Sequence, residues 1–383
     1  MSVSVKMMMG QDPCKAAYDA MAGVFIHDAK GKRVLLKPNT GFEGPAKSGL
    51  CTHPEVIRGL IRFFKDRKVG EIIVGDSSVI GVDSVGALRS AGIFDVCEEE
   101  GALCMDLNAS APIQKKISHG YVVDDILLSS ILYEVDIVVS VPVMKTHMYT
   151  GVSLSIKNMK GGMYRREKNK LHRLKKAAPK GATARALDYG ILDLTTVLYP
   201  DYAVIDGIVG MEGLGPSGGT PKPFGVVLAS AEPVAADMIA LRLMGMKPAD
   251  AGHIMLVSEK HGISYDNISV DPENYADYIN PFVTPAAAKL NLQSDNIELI
   301  DESACSGCHA ALTQFLRYHS KELAQEDDFT LFAGKDISEE QFEGKRAFLV
   351  GNCTAKFRSH APFCKGCPPV TSQATASAER AAF

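Results

Sequence analysis

The chain has 383 residues, of which 46% are hydrophobic and 22% charged, and its formal net charge is −4. This composition is that of a globular protein and excludes disordered and fibrous chains, and the length fits two or three domains. The small negative charge is not that of a general nucleic-acid binder, and no apolar run reaches the roughly 20 residues of a membrane span. Because residues 1–22 show no secretory signal, we expect a cytoplasmic protein that binds neither nucleic acid nor membrane.

Short apolar runs alternate with helical patterns through the first 300 residues. Strands are predicted at residues 33–37, 71–76, 135–143, 202–208 and 224–229, and helices at residues 53–68 and 233–244. Continuously apolar strands separated by helices are typical of a mostly parallel sheet covered on both faces, so we predict an α/β fold. The predicted organisation is an α/β domain with an anion-binding cleft (1–270), a connection (271–300), a small cysteine-rich iron–sulfur module (301–370) and a flexible tail (371–383).

Polar residues follow the predicted strands repeatedly. They are Lys37-Pro38-Asn39, Asp76-Ser77-Ser78, Lys145-Thr146-His147 and Asp206-Gly207. Turn-forming residues explain any one of these ends. Since open α/β sheets bind ligands at the carboxyl ends of their strands, the four ends together predict a cleft at that edge.

A strongly basic segment occupies residues 157–180, which hold ten Lys or Arg and one acidic residue. A solvated charged face is the ordinary explanation of such a run. Its position just after Lys145 and His147, and its Gly161-Gly162 pair, favour instead a site for a phosphate or carboxylate group. We therefore predict an anionic small molecule as ligand, since Tyr164 is the segment's one aromatic residue and no nucleic-acid motif follows. The predicted ligand-binding residues are Lys37, Asn39, Lys145, Lys157, Asn158 and Arg165.

Three residues are candidates for acid–base chemistry. His147 is the predicted proton donor or acceptor, because an unperturbed histidine side chain changes its charge near neutral pH. Asp206 or Glu212 would orient or assist it. Glu212 lies in a glycine-rich loop, residues 211–219, that matches neither a P-loop nor a dinucleotide-binding motif. A buried ion pair at a strand end is the ordinary alternative for each residue.

Five of the nine cysteines lie within 63 residues near the C-terminus. In a cytoplasmic chain such clustering indicates a metal site. Two C-x-x-C pairs suit a four-thiolate zinc site, whereas a [4Fe–4S] cluster takes four of the five thiolates. The run 366–369 (GCPP) resembles the terminal ligand motif of iron–sulfur subunits in hydrogenases and respiratory complex I, which favours the cluster. The predicted ligands are Cys305, Cys308, Cys353 and Cys367, with Cys364 as the alternate to complete the site.

Several motifs, in order, resemble the domain of unknown function 362 family. They are Lys37-Pro38-Asn39, residues 135–162, residues 204–219 and residues 229–237. The resemblance covers about residues 30–250 and implies a fold and an association with iron–sulfur elements, but no substrate. The commoner fusion in that family carries tightly spaced CxxCxxC runs, which this chain lacks. The positions that the resemblance marks are Lys37, Asn39, Lys145, His147, Lys157, Asn158, Asp206, Glu212 and Asp237.

These observations favour an iron–sulfur redox enzyme, or a component of one, that acts on an anionic small molecule. One alternative is a non-catalytic electron-transfer protein whose basic segment docks an acidic redox partner protein. Another is a zinc-stabilised binding protein.

Overall fold

The computed structural model describes residues 3–172, 174–285, 287–288, 296–300, 304, 312, 316, 327–334 and 337–366. Contacts within the chain divide it into two units, one of residues 1–146 and 150–283 and the other of residues 147–149 and 284–383. The predicted domain limits at 270 and 300 stay predictions.

A mainly parallel sheet forms the centre of the first unit. Its strand order is β12-β1-β11-β10-β7-β2-β3-β4, with β8 beside β10 and β9 beside β8, while β5 and β6 form a separate antiparallel pair. The exception along this order is β11, which runs antiparallel to both β1 and β10. The strands are β1 (Val3–Met9), β2 (Arg33–Pro38), β3 (Glu71–Asp76), β4 (Leu103–Asp106), β5 (Pro112–Lys116), β6 (Asp125–Ser129), β7 (Ile137–Val141), β8 (Val143–His147), β9 (Gly151–Val152), β10 (Tyr202–Glu212), β11 (Thr220–Ser230) and β12 (Ile268–Asp271).

Helices accompany this sheet along the chain. They are α1 (Pro13–Ala22), α2 (Pro54–Asp66), α3 (Ser84–Ser90), α4 (Ile93–Glu100), α5 (Ser155–Asn158), α6 (Ala186–Thr195), α7 (Pro233–Leu243) and α8 (Gly252–His261). On β2, Leu35 belongs to one hydrophobic cluster and Val34 and Leu36 to another. Because alternate strand residues point to opposite faces, the sheet is buried on both sides, as its apolar strands predict.

The predicted α/β class with a mainly parallel sheet is confirmed, with two local corrections. The strand predicted at residues 135–143 is two strands, because Pro142 lacks the N–H that a continuous ladder requires. The strands predicted at residues 202–208 and 224–229 extend over Tyr202–Glu212 and Thr220–Ser230 and form an antiparallel hairpin, so Glu212 ends a strand rather than lying in the predicted loop.

The second unit contains a parallel sheet of its own. Its strands, in the order in which they pair, are β13 (Ile297–Ile300), β14 (Phe329–Ala333), β15 (Ala347–Val350) and β16 (Phe363–Cys364). Leu331 packs in one hydrophobic cluster and its neighbour Phe332 in another, so both faces of this sheet are covered. Strand β13 lies at the end of the segment, residues 271–300, that the sequence predicts to be a connection.

Within the described part of the chain, no helix is long and apolar enough to cross a membrane.

The contact between α1 and α2 depends on a glycine. A Cβ on Gly59 would lie 2.1 Å from the carbonyl oxygen of Cys14 and 3.1 Å from the Cβ of Ala17. We expect Gly59→Ala to destabilise the protein by about 1 to 3 kcal/mol, because the helices must move apart, although alanine is the better helix former. The matched control is Gly86→Ala in α3, where the nearest atoms are side-chain carboxylates at 3.0 and 3.3 Å that can move. Thermal unfolding midpoints test this, and equal midpoints for the two variants would contradict it.

Candidate functional site

A buried ion pair joins two neighbouring strands at the carboxyl edge of the central sheet. Lys37 of β2 donates from Nζ to Oδ1 of Asp76, the last residue of β3, at 2.6 Å, and both side chains are almost fully buried. The other carboxylate oxygen accepts from the backbone N–H of Thr40 at 2.8 Å. A Cβ on Gly161 would lie 2.5 Å from Asp76 Oδ1 and 2.6 Å from Lys37 Nζ. The backbone at position 161 can therefore lie this close to the ion pair only because residue 161 is a glycine.

Asn158, the last residue of α5, connects the ion pair to that helix. Its Nδ2 donates to the backbone oxygen of Lys37 at 3.0 Å and to Oγ of Ser140 at 3.1 Å. Its Oδ1 accepts from Lys37 Nζ at 3.3 Å and from Asn39 Nδ2 at 3.4 Å. The Oδ1 atom of Asn39 is buried and has no hydrogen-bond partner among the described residues. The network therefore contains one unused acceptor beside the ion pair.

The other end of α5 is held by Asp237 from α7. Its two carboxylate oxygens accept from the backbone N–H groups of Ser155 at 2.7 Å and Ile156 at 3.0 Å, which the short helix itself leaves unsatisfied. Burial raises the pKa of Asp237 to about 7. Helix α5 is thus fixed at both ends by buried polar contacts.

Four further lysines interact electrostatically with one another or with the ion pair: Lys145, Lys157, Lys160 and Lys168. We call these four together with Lys37 the lysine cluster. Lys145 donates to the backbone oxygen of Leu50 at 3.0 Å, and Lys168 donates to Ser77 Oγ and, at 3.0 Å, to the backbone oxygen of Ser78. Lys145, Lys157 and Lys168 form no ion pair with a carboxylate among the described residues.

Burial and mutual repulsion weaken the hold of these lysines on their protons. Burial lowers the pKa of Lys145 to about 8. Burial and the repulsion from Lys37 lower the pKa of Lys168 to about 8 as well. The negative charge of Asp76 opposes both shifts but does not cancel them. Burial, with repulsion from Lys168, lowers the pKa of Lys160 to about 7. Burial, with repulsion from Lys160 and Lys145, lowers the pKa of Lys157 well below its ordinary value. The cluster therefore has positive charge that its surroundings stabilise poorly.

The second unit brings two cysteine-bearing loops together at the carboxyl edge of its own sheet. Cys353 comes three residues after β15, and Cys364 ends β16. Gly351 N–H donates to Cys364 O at 3.0 Å, Asn352 N–H to Gly366 O at 2.8 Å, and Gly366 N–H to Asn352 Oδ1 at 3.0 Å. Cys353 is half-buried, whereas Cys364 is fully buried in a hydrophobic cluster.

The remaining predicted metal ligands, Cys305, Cys308 and Cys367, lie outside the described residues. Within the described ranges, no group of three or more His, Cys, Asp or Glu side chains is placed to hold a metal ion.

A family model described as "Domain of unknown function (DUF362)" matches residues 34–242, more than half of the chain. The chain belongs to the DUF362 family. The matched range contains every member of the lysine cluster, so the resemblance that the sequence motifs indicate is confirmed for this part of the protein.

A thylakoid-associated protein of Synechocystis, sll1697, is 25% identical to this DUF362 chain over 224 residues. The match covers 57% of the chain and 65% of that relative, which is less than two thirds of its length. The lactate racemase apoprotein of Thermoanaerobacterium thermosaccharolyticum is 11% identical with a TM-score of 0.39, covering 67% of this chain and 57% of the other. A crystal structure of a Thermotoga maritima protein is 12% identical with a TM-score of 0.38, covering 90% and 97%. Structural similarities this low carry no argument about function.

The predicted ligand-binding residues fall into two groups. Lys37, Lys145 and Lys157 belong to the lysine cluster, and Asn39 and Asn158 belong to the hydrogen-bond network around it. Arg165 differs, because its guanidinium group is exposed and lies 5.1 Å from the ring centroid of Tyr164, while its backbone N–H donates to Oδ1 of Asn108 at 2.7 Å.

The predicted catalytic residues have separate surroundings. Asp206 is buried, accepts from the N–H groups of His53 at 2.7 Å and Ile208 at 3.0 Å, and has its pKa raised by burial against the attraction of Lys145. Glu212 pairs with Lys222 at 3.1 Å and accepts from the N–H of Val283 at 3.0 Å. His147 ends β8, and its Nδ1 accepts from the N–H of Tyr149 at 3.0 Å, so a neutral ring carries its proton on Nε2. Acid–base roles for all three stay predictions.

Three members of the site were not predicted: Asp76 as the partner of Lys37, and Lys160 and Lys168 as parts of the cluster. Signals for them exist in the sequence, because Asp76 ends a predicted strand and both lysines lie in the basic segment. Nothing local distinguishes Lys168 from the other cations of that segment, since its partners Ser77 and Ser78 lie about ninety positions away.

Removing the cation of the buried pair should leave an unpaired buried carboxylate. We expect Lys37→Met to lower the free energy of unfolding by about 3 to 5 kcal/mol, and the double variant Lys37→Met, Asp76→Leu to recover part of that loss. The control is Lys15→Met, because Lys15 pairs with Asp19 on an exposed helix face and should make no measurable difference.

Chemical denaturation of the four proteins of this double-mutant cycle measures the coupling between Lys37 and Asp76. Additive effects of the two substitutions would contradict the assignment of the pair as a direct buried interaction.

Proposed function

We propose that this protein binds an anionic small molecule at the lysine cluster and carries a [4Fe–4S] cluster in its second unit, acting as a redox enzyme or as a component of one. The observation that supports anion binding is the unbalanced positive charge of the lysine cluster. Three of its members, Lys145, Lys157 and Lys168, lack a carboxylate partner among the described residues, although each is buried or half-buried. Buried charges are ordinarily paired, and a bound anion would supply the missing partner.

The depressed pKa values support the same proposal. Lysines repel one another in an empty site and hold their protons weakly, whereas a carboxylate or phosphate group between them favours the ammonium form. Binding of an anion should therefore draw protons onto the cluster. A small ligand fits better than a polymer, because the ammonium groups are buried or half-buried within the fold.

The alternative in which the basic segment docks an acidic partner is less well supported. Two of its more exposed cations are already paired within the chain, Lys170 with Asp125 at 2.6 Å and Lys176 with Asp124 at 2.5 Å. Lys168 donates inward to the loop after β3. The segment therefore directs much of its charge toward its own fold.

Anion affinity should decrease as the pH rises, because the ammonium form binds and the lysines deprotonate with pKa values of about 7 (Lys160) and about 8 (Lys145 and Lys168). Sulfate is the probe, since it stays a dianion over this range. We expect its affinity to fall at least about tenfold between pH 6.5 and pH 9, with net proton uptake on binding at pH 7.5. Calorimetry in two buffers of different ionisation enthalpy measures both quantities.

A matched pair of variants tests whether sulfate binds at the lysine cluster. Lys168→Gln should weaken sulfate binding, whereas Lys170→Gln, two positions further along the chain, removes a lysine paired outside the cluster and should not. Sulfate affinity that does not depend on pH, or equal losses in the two variants, would contradict the proposed site.

The second half of the proposal is supported by where the cysteines occur relative to the sheet of the second unit. Parallel strands end at one edge, and in sequence Cys305 and Cys308 follow β13, Cys353 follows β15, and Cys367 follows β16. The hydrogen bonds between Asn352 and Gly366 join the residues that directly precede Cys353 and Cys367.

Thiolates are the ligands that iron–sulfur clusters use, so the donor set fits the group. Such a cluster would supply one-electron transfer. Cys305, Cys308, Cys353 and Cys367 would hold it, and the burial of Cys364 in an apolar cluster favours Cys353 as the fourth ligand. A four-thiolate zinc site stays the alternative, and a metal assay separates the two.

The two candidate fourth ligands can be compared directly. We expect Cys353→Ala to lose most of the iron and acid-labile sulfide of anaerobically purified protein. Cys364→Val should retain both, because valine keeps the apolar packing of the buried position. The control is Cys14→Ala in the first unit. Iron and sulfide assays with the visible absorbance spectrum provide the measurement.

Loss of iron in Cys364→Val but not in Cys353→Ala would make Cys364 the ligand. One zinc per chain without sulfide would contradict the iron–sulfur assignment altogether.

A further inference from the structure

Lys157 differs from Lys37, Lys145 and Lys168 because its amine makes no hydrogen bond with a described residue. It lies on α5 directly before Asn158, whose amide is committed to the Lys37 network, and the backbone of this helix is fixed by Asp237. Successive helical residues point about 100° apart, so Lys157 is turned away from the contacts that Asn158 makes. Its side chain is half-buried, and its amine has neither a hydrogen bond nor an ion pair with a described residue.

The charged groups near the Lys157 amine stabilise its ammonium form only weakly. Lys145 and Lys160 repel a positive charge there, and Asp188 attracts it. Asp188 is already engaged, because its Oδ2 accepts from the N–H of Arg185 at 3.0 Å and its Oδ1 lies 3.7 Å from Nδ1 of His253.

His253 adds no negative charge to these surroundings. Burial lowers its pKa and keeps the ring neutral, and both ring nitrogens are buried without a hydrogen-bond partner among the described residues. Lys157 is therefore an amine beside two other lysines, a shared carboxylate and a neutral imidazole. An amine that is desolvated and adjacent to other cations is the arrangement that makes lysine a nucleophile toward carbonyl groups.

We propose that Lys157 forms an imine with the carbonyl carbon of a 2-oxo acid whose carboxylate is bound by the other members of the lysine cluster. This inference rests on the proposed anion site and specifies its ligand. The carboxylate would neutralise the charge of Lys145 and place the adjacent carbonyl carbon next to the Lys157 amine.

The step balances without an oxidant or a reductant. The nitrogen lone pair forms the C–N bond, and the π electrons of the carbonyl group move to its oxygen, which is protonated to give a carbinolamine. Loss of the hydroxyl group as water, with departure of the remaining proton from nitrogen, leaves the C=N bond of the imine. The products are one imine and one water molecule.

The test traps the imine in the full-length protein. Glyoxylate, pyruvate and 2-oxoglutarate are added separately at pH 7 with cyanoborohydride, which reduces imines to stable secondary amines, and the labelled residue is located by peptide mass mapping. A lysine of ordinary pKa is neutral in only roughly one molecule in 2,500 at this pH, so labelling of Lys157 should exceed that of the exposed Lys180 by at least about tenfold.

Two further observations are expected if the inference is correct. Sulfate should suppress labelling of Lys157, because both anions need the same ammonium groups. Lys157→Arg, which keeps the positive charge but removes the nucleophile, should abolish the adduct at that position, and Lys180→Arg should leave the adduct unchanged.

The outcomes separate the two proposals. Sulfate binding with no adduct on Lys157 from any of the three acids overturns the imine and leaves the anion site standing. Equal labelling of Lys157 and Lys180 also overturns it. Absence of sulfate binding removes the anion site, and the imine with it.

Discussion

The buried ion pair between Lys37 and Asp76 is the contact around which the rest of the carboxyl edge is built. Removing two charges from water is costly, and the cost is offset only where the remaining donors and acceptors are also satisfied. Thr40 and Ser77 donate backbone N–H groups to the carboxylate, and Asn158 accepts from the ammonium group. The loop after β2, the end of β3 and helix α5 are thereby fixed to one another.

The same requirement explains why Lys145 and Lys168 have no carboxylate partner among the described residues. Asp76 is the carboxylate that pairs with Lys37, and the carboxylate of Asp206 is committed to two backbone N–H groups. Lys145 and Lys168 therefore donate to backbone oxygens, and their pKa values fall. A largely buried site whose lysines outnumber the carboxylates paired with them among the described residues is suited to recognising a small anion, because part of the desolvation of its side chains precedes binding.

Much of the fold was predictable because it is encoded locally. The apolar runs predicted the parallel strands, and the polar residues near the ends of those runs predicted that Lys37 and Asp206 lie at the carboxyl edge of the sheet. The direction of β11 was not predictable, since it depends on a hairpin with β10 rather than on residue type. The sheet of the second unit was largely missed because its strands are only two to five residues long. The role of Lys168 depends on contacts with residues distant in sequence, which no local pattern reveals.

A crystal structure of the protein soaked in selenate can show whether the lysine cluster binds an anion. Selenate has the charge and shape of sulfate, and the anomalous scattering of selenium locates it without ambiguity. If the cluster binds an anion, an anomalous peak should lie within hydrogen-bonding distance of at least two of Lys145, Lys157, Lys160 and Lys168. Peaks confined to the protein surface, with these four side chains unchanged, would contradict it.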